Sequence, residues 1–192
     1  MSNSPSVPVR RAVVLTAFLA LLLVGCAPAP APANLLVNGG FEGGAYDGTG
    51  ITSPRSWQRE LFRPWSELSW DDTVAYSGAH SIKIVSPAPN DVRWIQTVTV
   101  EPDTVYELSG YIRTEDVGLS EQAVSAGANL SVMGGFVYTQ PVLGTSDWTY
   151  RSLRFNSGSS TTVIIAARVG FYSGISAGTA WFDQVRLRPV PG

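Results

Sequence analysis

The chain carries one histidine, His80, and one cysteine, Cys26. A Ser-His-Asp arrangement would have to use His80, which sits in the turn-like string SGAHS. Zinc sites that need several His or Cys ligands cannot be built from one of each. Paired carboxylates are the remaining hydrolytic chemistry. Glu60, Glu67, Asp71, Asp72, Glu115, Asp116 and Glu121 are available for it. They lie mostly in loop-like contexts, where a solvated charge is the default and the pairs Asp-Asp and Glu-Asp serve turns. No intrinsic catalysis is expected; an enzyme on this inventory would be a small glycoside hydrolase. One further carboxylate, Glu42, closes the string NLLVNGGFEGG (Asn34–Gly44). Beside Asn-Gly-Gly it reads either as turn chemistry or as a metal ligand.

The elements that position these groups begin with a leader. Arg10 and Arg11 precede an uninterrupted apolar run, Ala12 to Gly25, of signal-peptide length. It ends in LVGC, which resembles a bacterial lipobox with Cys26 as the lipidated residue. Residues 1–26 are therefore expected to be a lipoprotein signal, and 27–33 (APAPAPA) an extended linker, because alternating prolines deny it helix and ladder hydrogen bonds. Residues 34–189 are expected to form one domain and 190–192 a tail. That domain would be extracytoplasmic, tied to the cell envelope through Cys26. A formal net charge of -2 gives no footprint for nucleic acid.

Gly, Ser, Thr, Val and Tyr are plentiful, and short runs alternate with period two between turn residues. The clearest is Thr104 to Arg113, with Tyr106, Leu108, Gly110 and Ile112 on one face. Glu-Pro-Asp before it predicts a hairpin with Trp94 to Val100. Further strands are expected over 80–85, 128–133, 149–155, 161–171 and 180–187. In 161–171 the spacing predicts Val163, Ile165, Ala167 and Val169 inward, with Ile164, Ala166 and Arg168 outward. Asp47 to Ser66 reads as a long loop pinned by Trp57 or Phe62, and Gly134 to Asp147 as a second. Trp57, Trp148 and Trp181 read as core or sheet-edge plugs. The expected fold is all-β, a two-sheet antiparallel β-sandwich of jelly-roll type.

Five strings occur in order: NLLVNGGFEGG, AYSGAHSIKI, WIQTVTVEPDTVYELSGYIRTEDV, GTSDWTYRSLRF and AWFDQVRL. The series resembles carbohydrate-binding modules of families 4, 9 and 22, jelly rolls that accompany cellulases and xylanases. The resemblance implies a structural calcium tying the first strand to the last. Its implied ligands here are the Gly40 carbonyl, the Glu42 carboxylate, Ser77, the His80 carbonyl and Asp183. Ser77 departs from versions with a carboxylate at that position. Calcium takes six to eight hard oxygen ligands, which suits this set.

The resemblance also implies a sugar ligand. Sugars present flat C–H faces to aromatic rings and hydroxyls to planar polar side chains. Tyr111, Arg113, Asn129 and Arg168 are predicted on outward strand faces, and Trp65, Trp70 and Tyr138 in or near loops that could rim a groove. The expected function is non-catalytic binding of poly- or oligosaccharide on an outward sheet face, in the service of a separate glycoside hydrolase or transporter. The competing expectation is an envelope or adhesin-like jelly roll without a sugar site, with Met133 and Ile164 offering an apolar partner surface.

Overall fold

The computed structural model describes residues 32–46, 52–119, 126–172 and 175–191. The expected signal, Cys26 and most of the linker lie outside the described residues, as does Glu121.

Among the described residues the chain forms β1 (Gly44–Tyr46), β2 (Thr52–Pro54), β3 (Gln58–Leu61), β4 (Glu67–Asp71), β5 (Ser81–Asn90) and β6 (Val92–Thr99). They are followed by β7 (Val105–Leu119), β8 (Ala128–Val132), β9 (Val137–Tyr138), β10 (Gly144–Asn156), β11 (Thr162–Val169) and β12 (Ser176–Pro189). The first large sheet runs β10-β7-β12-β5-β4 and the second β3-β6-β11-β8-β9, with β1 and β2 as a separate hairpin. All pairings are antiparallel. The result is an open all-β sandwich of jelly-roll type.

Alternation explains the core. Tyr106, Leu108 and Ile112 of β7, with Ala180, Phe182, Val185 and Leu187 of β12, form one wall. Trp94 and Val98 of β6, Leu130 of β8, and Ile165, Ala167 and Val169 of β11 form the other. Gln96 shares the inward face of β6 and is satisfied by a two-way clamp on Val37: its Oε1 accepts from Val37 N (2.8 Å) and its Nε2 donates to Val37 O (2.9 Å). A buried amide thus straps the first segment to the second sheet without an unpaired polar group. The same segment is sewn to β12 by Leu35 N to Leu187 O (2.9 Å) and Val185 N to Gly39 O (2.7 Å). Gly39 is required there, because a Cβ would lie 2.0 Å from the Val185 carbonyl oxygen.

Several expectations need correction. Asp47 to Ser66 is not simply loop: β2 and β3 form within it, and β3 pairs with β6 at the sheet edge. β4 is a strand although its residues lack a clean alternating pattern. Pairing with a preformed neighbour, not periodicity, creates these short edge elements. Trp57 does pin the segment, buried against Phe41, whereas Phe62 is 66% exposed. Within Gly134 to Asp147, β9 forms and β10 begins. Ala166 and Arg168 are not outward in the sense of solvent; both are fully buried. The chain after β11 folds back so that the rings of Phe171 and Tyr172 lie over Arg168.

Candidate functional site

A clasp joins the beginning, the middle and the end of the domain. Glu42 accepts hydrogen bonds from the amides of Ala79 (3.1 Å to each oxygen) and His80 (3.2 Å). Asp183, fully buried on β12, accepts at Oδ2 from Tyr76 N and Ser77 N (2.9 Å each) and at Oδ1 from Gln184 N (2.6 Å). Both carboxylates therefore grip the 76–80 turn. The turn passes Gly78 (φ +80°) directly under Glu42, where a Cβ would meet Oε1 at 2.2 Å. The His80 ring stacks on Trp70 at 4.1 Å.

The electrostatics of the two acids differ. Burial works to raise the Glu42 carboxyl, but the Ala79 and His80 amides outweigh it and hold the group below its usual value. Burial raises the Asp183 carboxyl, and its amide donors offset this only in part. Asp183 has no cationic side chain within ion-pair distance among the described residues. Of the expected metal set, Glu42 and Asp183 meet Ser77 and His80 through the backbone amides of the 76–80 turn, and Gly40 lies beside Gln184, the neighbour of Asp183. The donor chemistry of the set fits a hard cation: a carboxylate has about four lone-pair sites, and the amides leave some of them open. Among the described residues no group of three or more His, Cys, Asp or Glu side chains converges on a metal position, so any such ion would lean on carbonyls.

The outer face of the second sheet carries a groove of about 640 Å³ between Phe62 and Tyr172, with Glu60, Asp91 and Arg93 in its lining. Beneath it runs a buried charge network. Asp91 receives the Arg168 guanidinium, through Nε at 3.1 Å and through Nη2 on both carboxylate oxygens. It also accepts from Arg93 Nη1 (2.8 Å) and from Tyr172 N (2.9 Å). Arg93 reaches outward to Glu60 as well, and that hydrogen bond holds the Glu60 carboxyl below the usual carboxylate range. Phe62 and Trp65 (44% exposed) flank Arg63, whose guanidinium lies over both rings.

The outer face of the first sheet carries the other aromatic cluster. Tyr76 stacks flat on Tyr111 (centroids 3.6 Å apart), while Trp148 and Tyr150 meet these rings edge-on. Further along this face, Trp181 lies between Lys83 and Arg113 and donates Nε1 to Asp71 Oδ2 (2.7 Å). Trp181 is therefore buried on the outer face, under cations, and not in the sandwich core. Trp148 is half-buried in the tyrosine cluster.

The structure does not bring the expected ligand residues to one surface. Tyr111 and Arg113 lie on the first sheet; Asn129, Tyr138 and Arg168 lie on the second. Trp65 is exposed near the rim of the second-sheet groove. Trp70 belongs to β4, not a loop, and its ring is capped: it donates to Phe41 O (2.6 Å), and a Cβ on Gly44 would fall 2.2 Å from it. Asn129 is fully buried and ties Ala126 O and Gly170 O together (2.8 and 3.2 Å). Arg168 is spent on Asp91. Tyr138 is half-buried against Phe171 at 4.3 Å. Those burials follow from the 170–172 return over β11, which strand alternation does not reveal. Of the groove residues, the sequence offers Glu60 only as a loop carboxylate and gives no signal for Arg93 or Tyr172; the site arises when edge strand β3 pairs with β6 and sets Glu60 across from Arg93.

One string in the sequence, Gly174 to Gly178 (GISAG), matches the Gly-x-Ser-x-Gly form of a nucleophile elbow. Its serine, Ser176, is fully buried at the start of β12, paired with Asn90 at one end of β5. His80 precedes the other end of that strand, so the serine has no imidazole beside it.

No family model matches the chain. A curated relative, exochitinase 1 of Streptomyces olivaceoviridis, is 27% identical over 147 residues, covering 74% of this chain and 20% of that protein. The chain thus spans about a fifth of that relative's length. Among solved structures, the enzymatically active domain of tailspike protein 4 from bacteriophage CBA120 aligns with a TM-score of 0.57 at 13% identity, over 82% of this chain and 21% of that one. A family 4 carbohydrate-binding module aligns with a TM-score of 0.53 at 17% identity, over 80% of this chain and 99% of that one. The fold is that of jelly-roll carbohydrate-binding modules related to families 4 and 22, at low identity. It is shared by binding modules and by catalytic chains, so the fold alone leaves the chemistry to the site.

Proposed function

We propose that the chain is a non-catalytic carbohydrate-binding module that takes poly- or oligosaccharide in the second-sheet groove. The observation that carries this reading is the groove itself. It has the volume of a small-ligand site, aromatic rings of Phe62 and Tyr172 at its walls, and planar polar groups of Glu60 and Arg93 in its lining. The buried Asp91–Arg168–Arg93 network fixes those polar groups in advance, which lowers the ordering cost of binding. The Arg93 hydrogen bond holds the Glu60 carboxyl low, which unsuits it to the general-acid role of a glycosidase, where the carboxyl must be raised toward neutrality. The lipobox-like LVGC and the Ala/Pro linker support an extracytoplasmic module anchored at Cys26, holding glycan near the envelope for a separate glycoside hydrolase or transporter.

The same reading includes a structural calcium at the clasp. Glu42, Asp183, Ser77 and the Gly40 and His80 carbonyls would hold it. The ion would supply the positive charge that buried Asp183 lacks among the side chains around it.

Calorimetric titration of the calcium-loaded chain with β-glucan, xylan, mannan and chitin oligosaccharides tests the sugar reading. At least one should bind, and Phe62→Ala should weaken it about tenfold, as expected for an exposed aromatic anchor. A folded chain that binds none of them refutes the proposal. For the metal, calcium at a hundred times its Kd should stabilise the fold by about 2.7 kcal/mol. A melting curve unmoved by excess chelator sinks that part.

A second reading has its own observation. Phe136 is 85% exposed and Ile164 37% exposed, an apolar feature suited to a protein partner. A module of that kind would keep its fold and bind no sugar in the same titration.

A further inference from the structure

The first sheet's outer face holds a second groove, of about 330 Å³, that the second-sheet reading does not use. One wall is aromatic. Tyr76 lies flat on Tyr111 and remains 44% exposed; Tyr150 stands edge-on to Tyr111 and is 49% exposed. The opposite part of the lining is cationic, with Arg186 and Arg188 from β12. A bulge in β12 between Asp183 and Arg186 creates this arrangement. It sends Val185 to the core and keeps Arg186 on the outer face across from Ser109. Asp183, just before the bulge, holds the amide of Tyr76 and so fixes the aromatic wall from below.

The arginines lack the partners that a solvated charge ladder would give them. Glu107 also lines the groove and is the cross-strand neighbour of Arg188, yet its carboxylate pairs with Arg154 (3.4 Å), which offsets its charge. Arg188 Nε is buried without a hydrogen-bond partner. Arg186 donates only to the neutral Gln184 side chain (3.0 Å). An unsatisfied buried guanidinium N–H asks for an acceptor, and a guanidinium fork is shaped for a planar carboxylate.

We propose that this groove is a second, independent carbohydrate site, selective for sugars that bear a carboxylate, such as uronic acids. The tyrosine rings receive the C–H face of the pyranose, and Arg186 and Arg188 receive its carboxylate. The two grooves lie on the outer faces of opposite sheets, so the chain would hold two strands of glycan, one neutral and one acidic.

Titration of the full chain with tri-galacturonate at low salt, beside neutral xylotriose, tests this. Tri-galacturonate should bind, and its affinity should fall as salt screens the arginines. Arg186→Gln should weaken it about tenfold, in line with loss of a charge-assisted hydrogen bond, and Tyr150→Ala about fivefold. Both side chains are at the surface, and a melting curve of each variant shows that it folds. Phe62→Ala should leave tri-galacturonate binding unchanged. Failure of wild-type chain to bind tri-galacturonate overturns the proposal, as does binding indifferent to Arg186→Gln and Tyr150→Ala or abolished by Phe62→Ala. Absence of neutral-sugar binding, by contrast, would count only against the second-sheet reading.

Discussion

Arg168→Met cuts the buried network at its deepest point. Arg168 is fully buried, and its guanidinium covers both oxygens of Asp91, itself only 3% exposed. Methionine keeps most of the stem volume, so the loss is mainly electrostatic. Asp91 would be left with Arg93 and the Tyr172 amide. Removing one partner of a buried pair costs about 3–5 kcal/mol because the other charge stays buried; the surviving Arg93 contact puts the expected value near the lower end, about 3 kcal/mol. Guanidinium contacts with the Phe171 and Tyr172 rings (4.6 and 5.1 Å to centroids) are lost as well, each worth about 0.5–1 kcal/mol or more. The two losses together come to about 4–5 kcal/mol; for a domain of this size each kcal/mol moves Tm by about 2–4 °C, so the melting midpoint should drop by about 8–20 °C. Scanning calorimetry and urea denaturation at neutral pH measure it. The double variant with Asp91→Asn should be no less stable than Arg168→Met alone, because the orphaned charge is gone. A Tm shift below about 2 °C, or additive single-variant costs, would refute the network argument.

Two further outcomes follow from the clasp. Gly78→Ala places a methyl group against Glu42 at a positive φ, so it should cost about 1–3 kcal/mol and free the 76–80 turn; thermal melting and proteolysis of that turn read it, and an unchanged Tm contradicts the geometry. Asp183 has a folded pKa above its unfolded value of about 3.8, so its contribution favours the folded state below that pH and is lost as pH rises through the folded pKa. In chelator, the stability of wild-type chain relative to Asp183→Asn should therefore fall as pH rises above about 4; a rising difference would show that the amides, not burial, dominate. Glu42 and Asp71, whose carboxyls are held low, act in the opposite sense and lose their contribution as pH falls below about 4 in both proteins.

Much of the sandwich could be read from spacing alone. Period two in 104–113 and 161–171 marks strands, because a pleated ladder has no other way to bury one face, whereas in 180–187 the alternation is broken by the bulge between Asp183 and Arg186. The turn at Glu101–Asp103 follows from turn chemistry, but the expected hairpin does not form: β6 pairs with β3 and β11 in the second sheet and β7 with β10 and β12 in the first, so the turn carries the chain across the sandwich. The inward sets of β7 and β11 follow from alternation. Pairing of β6 with β11 puts Trp94 opposite Ala167, inside. The edge strands β2, β3 and β4 were not legible, since their order comes from neighbours that the chain reaches only after folding.

The sites divide in the same way. Residue types determined the chemistry: aromatics with arginine and carboxylates, one histidine and one cysteine, and acidic residues near the first and last strands. Only tertiary structure decided where that chemistry sits. Arg168 and Asn129 have the alternation of surface residues, yet the 170–172 return buries both. Glu60, Asp91 and Arg93 gain meaning only when β3 lies beside β6. Arg186 is aimed into a groove by a bulge at Gln184, whose positive φ of 51° no sequence rule anticipates for glutamine. Local patterns fix which face a residue prefers; long-range packing fixes what covers that face, and a binding site is the part left uncovered.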